Sequence, residues 1–220
     1  AVGGKPGQRG VIASASYEAR EKGVRSAMAS SKALKLCPEL KLVSSNRPMI
    51  SSSSAKVMKI LSRYGTLERM SVDEAFVDLS LQKNPSALVK TILKRIKSET
   101  DLPASAGLAT SKLVAKIASD FDKPEGFTVV EPGAESNFLA PLKIRKIYGI
   151  GPKTASLLNN LGIKNCSDIV SIDIQKLQTV FGQYSVNLKN KAKGIDNRPV
   201  DPSPWIAKQQ GTEHTFEKDI

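Results

Sequence analysis

The chain has 220 residues, 40% hydrophobic and 25% charged, the balance of a globular protein of one or two domains with room for a sizeable core. Its 33 Lys and Arg against 21 Asp and Glu give a net charge of +12, which favours a polyanionic partner such as nucleic acid. The apolar runs fall short of the ~20 residues that span a bilayer, the start does not read as a signal peptide, and Cys37 and Cys166 lack the spacing of a zinc site or a disulfide framework. The expectation is a soluble cytoplasmic protein with two buried thiols.

Residues 11 to 16, "VIASAS", form a short extended run that leads into a helix over "YEAREKG", ended by Gly23. A second short helix over "SSKALKLCP" is stopped at Pro38, and the serine-rich "NRPMISSSSAK" closes this opening part, with a boundary near Pro48. From Met49 to Pro132 strands alternate with amphipathic helices. "AKVMKILSRYG" places Val57, Ile60 and Leu61 on one helical face, and "LERMSV" and "EAFVDLS" follow as strands. The next helix repeats apolar residues at Leu88, Val89, Ile92 and Ile96; "LPASAGLAT" is a strand, "SKLVAKIASD" a helix with Ser111 as N-cap, and "GFTVVEP" a strand. Residues 133 to 206 read as helices punctuated by Gly and Pro, and "DPSPWIAKQQ" has the composition of a linker.

Four places carry candidate chemistry. Asp73 and Glu74 stand side by side in "SVDEAFVDLS"; on a regular strand they would leave opposite faces, but a bend at Asp73 would let both carboxylates converge on a hard cation such as Mg²⁺. A structural acid pair at a hairpin end is the bland alternative, and Asp78 reads as a structural carboxylate paired with a nearby base. Tyr17 and Arg20, three apart in "SASYEAR", share a helical face that can bind phosphate oxygens, or form an ordinary surface stack. Lys123, just before Pro124, is directed by an extended backbone toward a phosphate, or is a plain loop lysine. "IYGIGPKTASLLNNLGI" looks like a helix-hairpin-helix: Gly149 and Gly151 allow backbone N–H groups to approach a phosphate at the start of a helix, with Lys153 adding charge.

Together "RGVIASASYEAREKGVRSAMASSKALKLCPEL", "SVDEAFVDLS", "ASAGLATSKLVAKIASDFDKPEG" and "IYGIGPKTASLLNNLGI" resemble, in order and over essentially the whole chain, a Y-family translesion DNA polymerase of the bacterial polymerase IV group. The resemblance implies a right-hand polymerase core: an α/β palm (49–132), small fingers (1–48), an all-helical thumb with a helix-hairpin-helix (133–206), and a linker with the start of a little finger (207–220). The implied activity is template-directed addition of deoxynucleotides to a primer, across damaged DNA, with low fidelity and no proofreading. It implies Asp73 and Glu74 as catalytic metal ligands for two Mg²⁺ ions, Ser14, Tyr17, Arg20 and Lys123 as ligands of the deoxynucleoside triphosphate, Arg9 near the nascent base pair, and Gly149, Gly151 and Lys153 on DNA. Primer-template DNA is the implied partner of a monomer, with a sliding clamp bound through a tail. The family's first palm strand, with a further aspartate and an aromatic gate against ribonucleotides, should precede Ala1, so this chain alone is expected not to polymerise appreciably. The competing reading is a non-catalytic DNA-binding or scaffold protein of the same fold.

Overall fold

The structure is a computed structural model that describes residues 1–4, 9–204, 209–212 and 216. Most of the expected linker and little-finger start lies outside the described residues. The chain divides into two compact units, Ala1–Ser52 with Pro204–Ile220, and Ser53–Ser203.

In the first unit β1 (Val2–Gly3) pairs antiparallel with β2 (Ile12–Ser14), followed by α1 (Tyr17–Glu21) and α2 (Ser30–Leu36). Ser16 starts α1 as its N-cap, its Oγ accepting from Ala19 N at 3.4 Å. Its core is made of Ile12, Ala15, Ala19, Val24, Ala33 and Cys37.

The serine run, expected to close the opening part of the chain, belongs to a helix. It forms the opening turns of α3, Arg47–Leu61. Asn46 Oδ1 accepts from Met49 N at 3.1 Å, as an N-cap does, and Pro48 falls in the first turn, where its missing N–H costs nothing. A polar run shows no apolar period, so periodicity alone begins this helix too late.

In the second unit β3 (Thr66–Arg69) and β4 (Ala75–Asp78) form an antiparallel hairpin in which Glu68 faces Phe76 and Arg69 faces Ala75. α4 (Pro85–Thr100) starts at Asn84, whose Oδ1 accepts from Ala87 N at 3.1 Å, and buries Val89, Ile92 and Ile96. Ile92 and Ile96 close a small core with Ile60. β5 (Ala106–Leu108) pairs parallel with β6 (Phe127–Val129) across α5 (Lys112–Ser119). Helix and strand pack so closely at Gly107 that an added Cβ would run into the Ala115 carbonyl and the Ser119 amide. Only glycine permits that approach.

The two strand pairs are not hydrogen-bonded to each other. A cavity of about 240 Å³ separates β4 from β5, walled by Val77, Leu79 and Leu108 and floored by Ile92 and Ile96. Beyond the sheet come α6 (Glu135–Leu139), a 3-10 turn (Ile144–Lys146), α7 (Pro152–Asn160), α8 (Cys166–Ser171), α9 (Ile174–Phe181) and α10 (Tyr184–Ala192). One continuous core runs from Leu113, Val114, Ile117 and Val130 through Leu139, Ile147 and Leu158 to Leu177 and Leu188. The α/β layer and the helices therefore share their apolar interior. α5 is also tied at its N-terminus: Ser111 Oγ accepts from Val114 N at 3.4 Å and donates to Gly194 O at 3.1 Å, while Asp196 Oδ2 accepts from Leu113 N at 3.1 Å. No helix among the described residues is long and apolar enough to cross a membrane.

Candidate nucleotidyl-transfer site

Asp73 and Glu74 do not lie on a strand. β3 ends at Arg69 and β4 begins at Ala75, so both acids sit on the intervening loop, and strand alternation does not apply to them. Met70 N and Ser71 N both donate to Glu74 O, at 2.9 and 3.1 Å, which folds the loop back on itself. Ser71 is its pivot: Oγ donates to Asp73 Oδ1 at 2.6 Å and accepts from Asp73 N at 3.2 Å and Glu74 N at 3.1 Å. Ser54, buried on α3, braces the loop from behind by donating to Val72 O and accepting from Arg69 Nη2 at 3.1 Å, and Arg69 Nε donates to Ser71 O at 3.1 Å. Serine and arginine are ordinary surface residues in the sequence. Ser54, Arg69 and Ser71 therefore gave no signal before the structure brought them together.

Two lysines one helical turn apart on α5 reach this hairpin, and they do so in different settings. Lys112 pairs with Glu68 at 2.6 Å, with side chains only 10% and 17% exposed, and Glu68 Oε2 also accepts from Asp201 N at 2.8 Å. Lys116 pairs with Glu74 at 2.5 Å, where the lysine is 17% exposed but the glutamate 45%. The first pair is sealed; the second opens to solvent.

Asp73, Glu74, Lys116 and Lys123 line the same cavity. Lys123 is exposed after α5, its Nζ 2.5 Å from Asp120 Oδ1, and the Lys123–Pro124 peptide is cis. Asp78 has a different partner from the base expected of it: its Oδ1 accepts from Ser80 N at 2.8 Å and Ser80 Oγ at 2.5 Å. Those bonds hold its carboxyl below the usual aspartate range. In the first unit Ser14 ends β2, and Tyr17 and Arg20 are exposed on α1, Arg20 Nε donating to Ala15 O at 2.9 Å. Arg9 is exposed as well.

The glycine motif forms a tight turn into α7. Ile147 and Ile150 are buried in the core and peg the turn from inside, while Tyr148, Gly149, Gly151 and Lys153 lie on the surface. Gly149 has φ +90°, which an L side chain rarely adopts; Gly151 is extended, with open space where a Cβ would go. Geometry thus requires glycine at 149 and leaves 151 free on these grounds. Gly151 is the N-cap of α7 and offers no side-chain cap, so first-turn amides stay available to an anion beside Lys153. Lys191 Nζ donates to Tyr148 O at 3.4 Å and ties the turn to α10.

The acid pair presents hard oxygen donors without sulfur or imidazole, which suits Mg²⁺ held by one or two carboxylates with substrate phosphates completing the shell. Among the described residues no cluster of three or more His, Cys, Asp or Glu stands ready for a metal. Burial pushes the two free cysteines up, Cys166 to about 11, and leaves them inert thiols in the two cores.

A hairpin-borne acid pair thus lies beside a lysine-lined cavity, and a glycine turn into a helix follows it along the chain. The chain belongs to the impB/mucB/samB family, whose model matches residues 1–120, and the HHH motif of the IMS family matches residues 132–163. DNA polymerase IV from Shewanella sp. (strain MR-7) is 43% identical over the full chain, which spans 62% of that protein's length. DNA polymerase IV from Bacteroides fragilis is 43% identical over 97% of the chain and 60% of its own length. Among solved structures, DinB from Sulfolobus solfataricus superposes with a TM-score of 0.84 at 31% identity, over 91% of this chain and 61% of that one. An insertion ternary complex of Dbh DNA polymerase gives 0.82 at 31% identity, with the same coverage. The resemblance to Y-family polymerases read from the motifs is borne out, as is the mixed α/β fold with its helix-hairpin-helix.

Proposed function

We propose that this chain forms part of a DNA-directed DNA polymerase that extends a primer by deoxynucleotidyl transfer, releasing pyrophosphate, and copies damaged templates with low fidelity and no proofreading. The observation that carries the reading is the single loop that holds Asp73 and Glu74 together on the cavity shared with Lys116 and Lys123. Asp73 and Glu74 are the residues that would hold Mg²⁺, two ions being expected. The ions would supply charge stabilisation to the attacking and leaving oxygens of an in-line displacement. Ser71, held by Arg69, fixes the direction of the Asp73 carboxylate and the backbone of Glu74 before any ligand arrives. Lys123 offers a point charge to a phosphate, and Ser14, Tyr17 and Arg20 are proposed as triphosphate ligands, with Arg9 near the nascent base pair. The apolar wall of the cavity between β4 and β5 suits a further strand, which supports the expectation of a third carboxylate carried by the family's first palm strand.

Gly149, Lys153 and the free first-turn amides of α7 are proposed to grip backbone phosphates of primer-template DNA, contacts that position without reading sequence. A sliding clamp, a monomeric working state and a cytoplasmic location belong to the same proposal. Primer extension by the protein read from the complete open reading frame tests it: Asp73→Asn should abolish incorporation while DNA binding persists. Extension at the wild-type rate by that variant would leave the non-catalytic DNA-binding reading in possession of the site.

A further inference from the structure

We propose that Lys116 is a placeholder cation, which holds Glu74 while the acid pair carries no metal and moves against the Tyr148 ring when a divalent cation takes its place. The inference rests on the reading of Asp73 and Glu74 as cation ligands and adds a positioning residue to it. Lys116 Nζ has two partners at once, and loss of the first leaves it the second to close upon. One is Glu74 Oε1, and the other is the face of Tyr148, whose ring centroid lies 5.2 Å away. A divalent ion at the carboxylates repels the ammonium from the first partner, and an aromatic face is a good second one for a cation. The backbone that carries the ring is tied to α10, since the Tyr148 carbonyl accepts from Lys191 Nζ.

The same helix supplies its own comparison. Lys112 also has a carboxylate and a ring, Glu68 and Phe76 at 5.5 Å, but Glu68 has a second donor in Asp201 N and is largely buried. That pair is closed and structural. Glu74 is nearly half exposed, lines the cavity, and has Lys116 as its cationic partner. Two lysine–glutamate pairs on one helix thus differ in access and in the second donor to the glutamate, and only the open one can exchange a lysine for a metal. Because Tyr148 belongs to the phosphate-gripping turn, the same lysine joins the state of the acid pair to that of the turn.

Mn²⁺ titration of the 220-residue chain, with free Mn²⁺ counted by electron paramagnetic resonance, tests this. Lys116→Met, and Lys116→Gln as a second variant, should bind Mn²⁺ about two- to fivefold more tightly, the effect of releasing a partly exposed ion pair. Lys116→Arg should stay near wild type. Tyr148→Leu should weaken binding by about twofold in the wild type and change nothing beside Lys116→Met, because the ring acts only through the lysine. Lys112→Met should lower the melting temperature and leave Mn²⁺ affinity alone. Unchanged or weaker binding by folded Lys116→Met and Lys116→Gln overturns the proposal while Asp73→Asn still abolishes binding. If Asp73→Asn leaves the titration unchanged, the cation reading of the acid pair falls and this inference with it.

Discussion

Ser54→Ala removes one oxygen and strands two partners. The Val72 carbonyl loses its donor, and Arg69 Nη2 loses an acceptor at 3.1 Å. Ser54 is only 6% exposed, so water replaces its hydroxyl poorly. An ordinary hydrogen bond contributes about 0.5–1.5 kcal/mol net, and the half facing exposed Arg69 counts at the low end, so the two together give roughly 1–2 kcal/mol. For a unit of this size that lowers the melting temperature by about 2–8 °C. The loop that bears Asp73 and Glu74 should also lose its brace, so Mn²⁺ affinity should fall in the same variant. Differential scanning calorimetry and Mn²⁺ titration read the two effects separately. An unchanged melting temperature would show that Ser54 does not brace the loop, and an unchanged affinity would show that the acids are oriented without it.

Gly149→Ala should destabilise by about 1–2 kcal/mol, the penalty for a Cβ at positive φ, whereas Gly151→Ala, at an extended N-cap with open space, should cost only about 0.5 kcal/mol through the poorer cap; urea denaturation of both variants compares them. Lys153→Gln should weaken binding to any DNA sequence alike and reduce the slope of log affinity against log salt by about 1, measured by fluorescence anisotropy. Asp196 accepts from Arg198 and Leu113 N, and the Arg198 bonds foremost hold its carboxyl low. A depressed carboxyl stabilises the fold above its unfolded value of about 3.9 and loses that contribution as pH falls through the folded one. The melting-temperature gap between wild type and Asp196→Asn should therefore be constant from pH 7 to about 5 and close below about pH 4.

The elements most legible in the sequence were those whose signal is local. α4 and α5 announced themselves by apolar spacing, and Ser111 caps α5 where a serine before an apolar run should. The glycine turn was legible because one residue, Gly149, must take a positive φ. The acid pair was found by its composition but misplaced by its neighbours: Ala75, Phe76 and Val77 read as strand and drew Glu74 into it, while a serine at position 71 was bending the chain. Lys116 and Glu74 are 42 residues apart, and Ser54 and Val72 are 18 apart. Contacts of that separation have no period and no motif, so only the fold could pair them.

Residues 194 and 196 supply partners for the first turn of a helix 83 positions earlier in the chain. The N-terminus of α5 is therefore incomplete until the segment that follows α10 has been synthesised and docked. Contacts of such separation raise the contact order, which slows folding. Cutting the chain at residue 133 would not release two independent modules. Each piece would carry orphaned amides or a split core, and the sheet layer and the helices should melt in one transition.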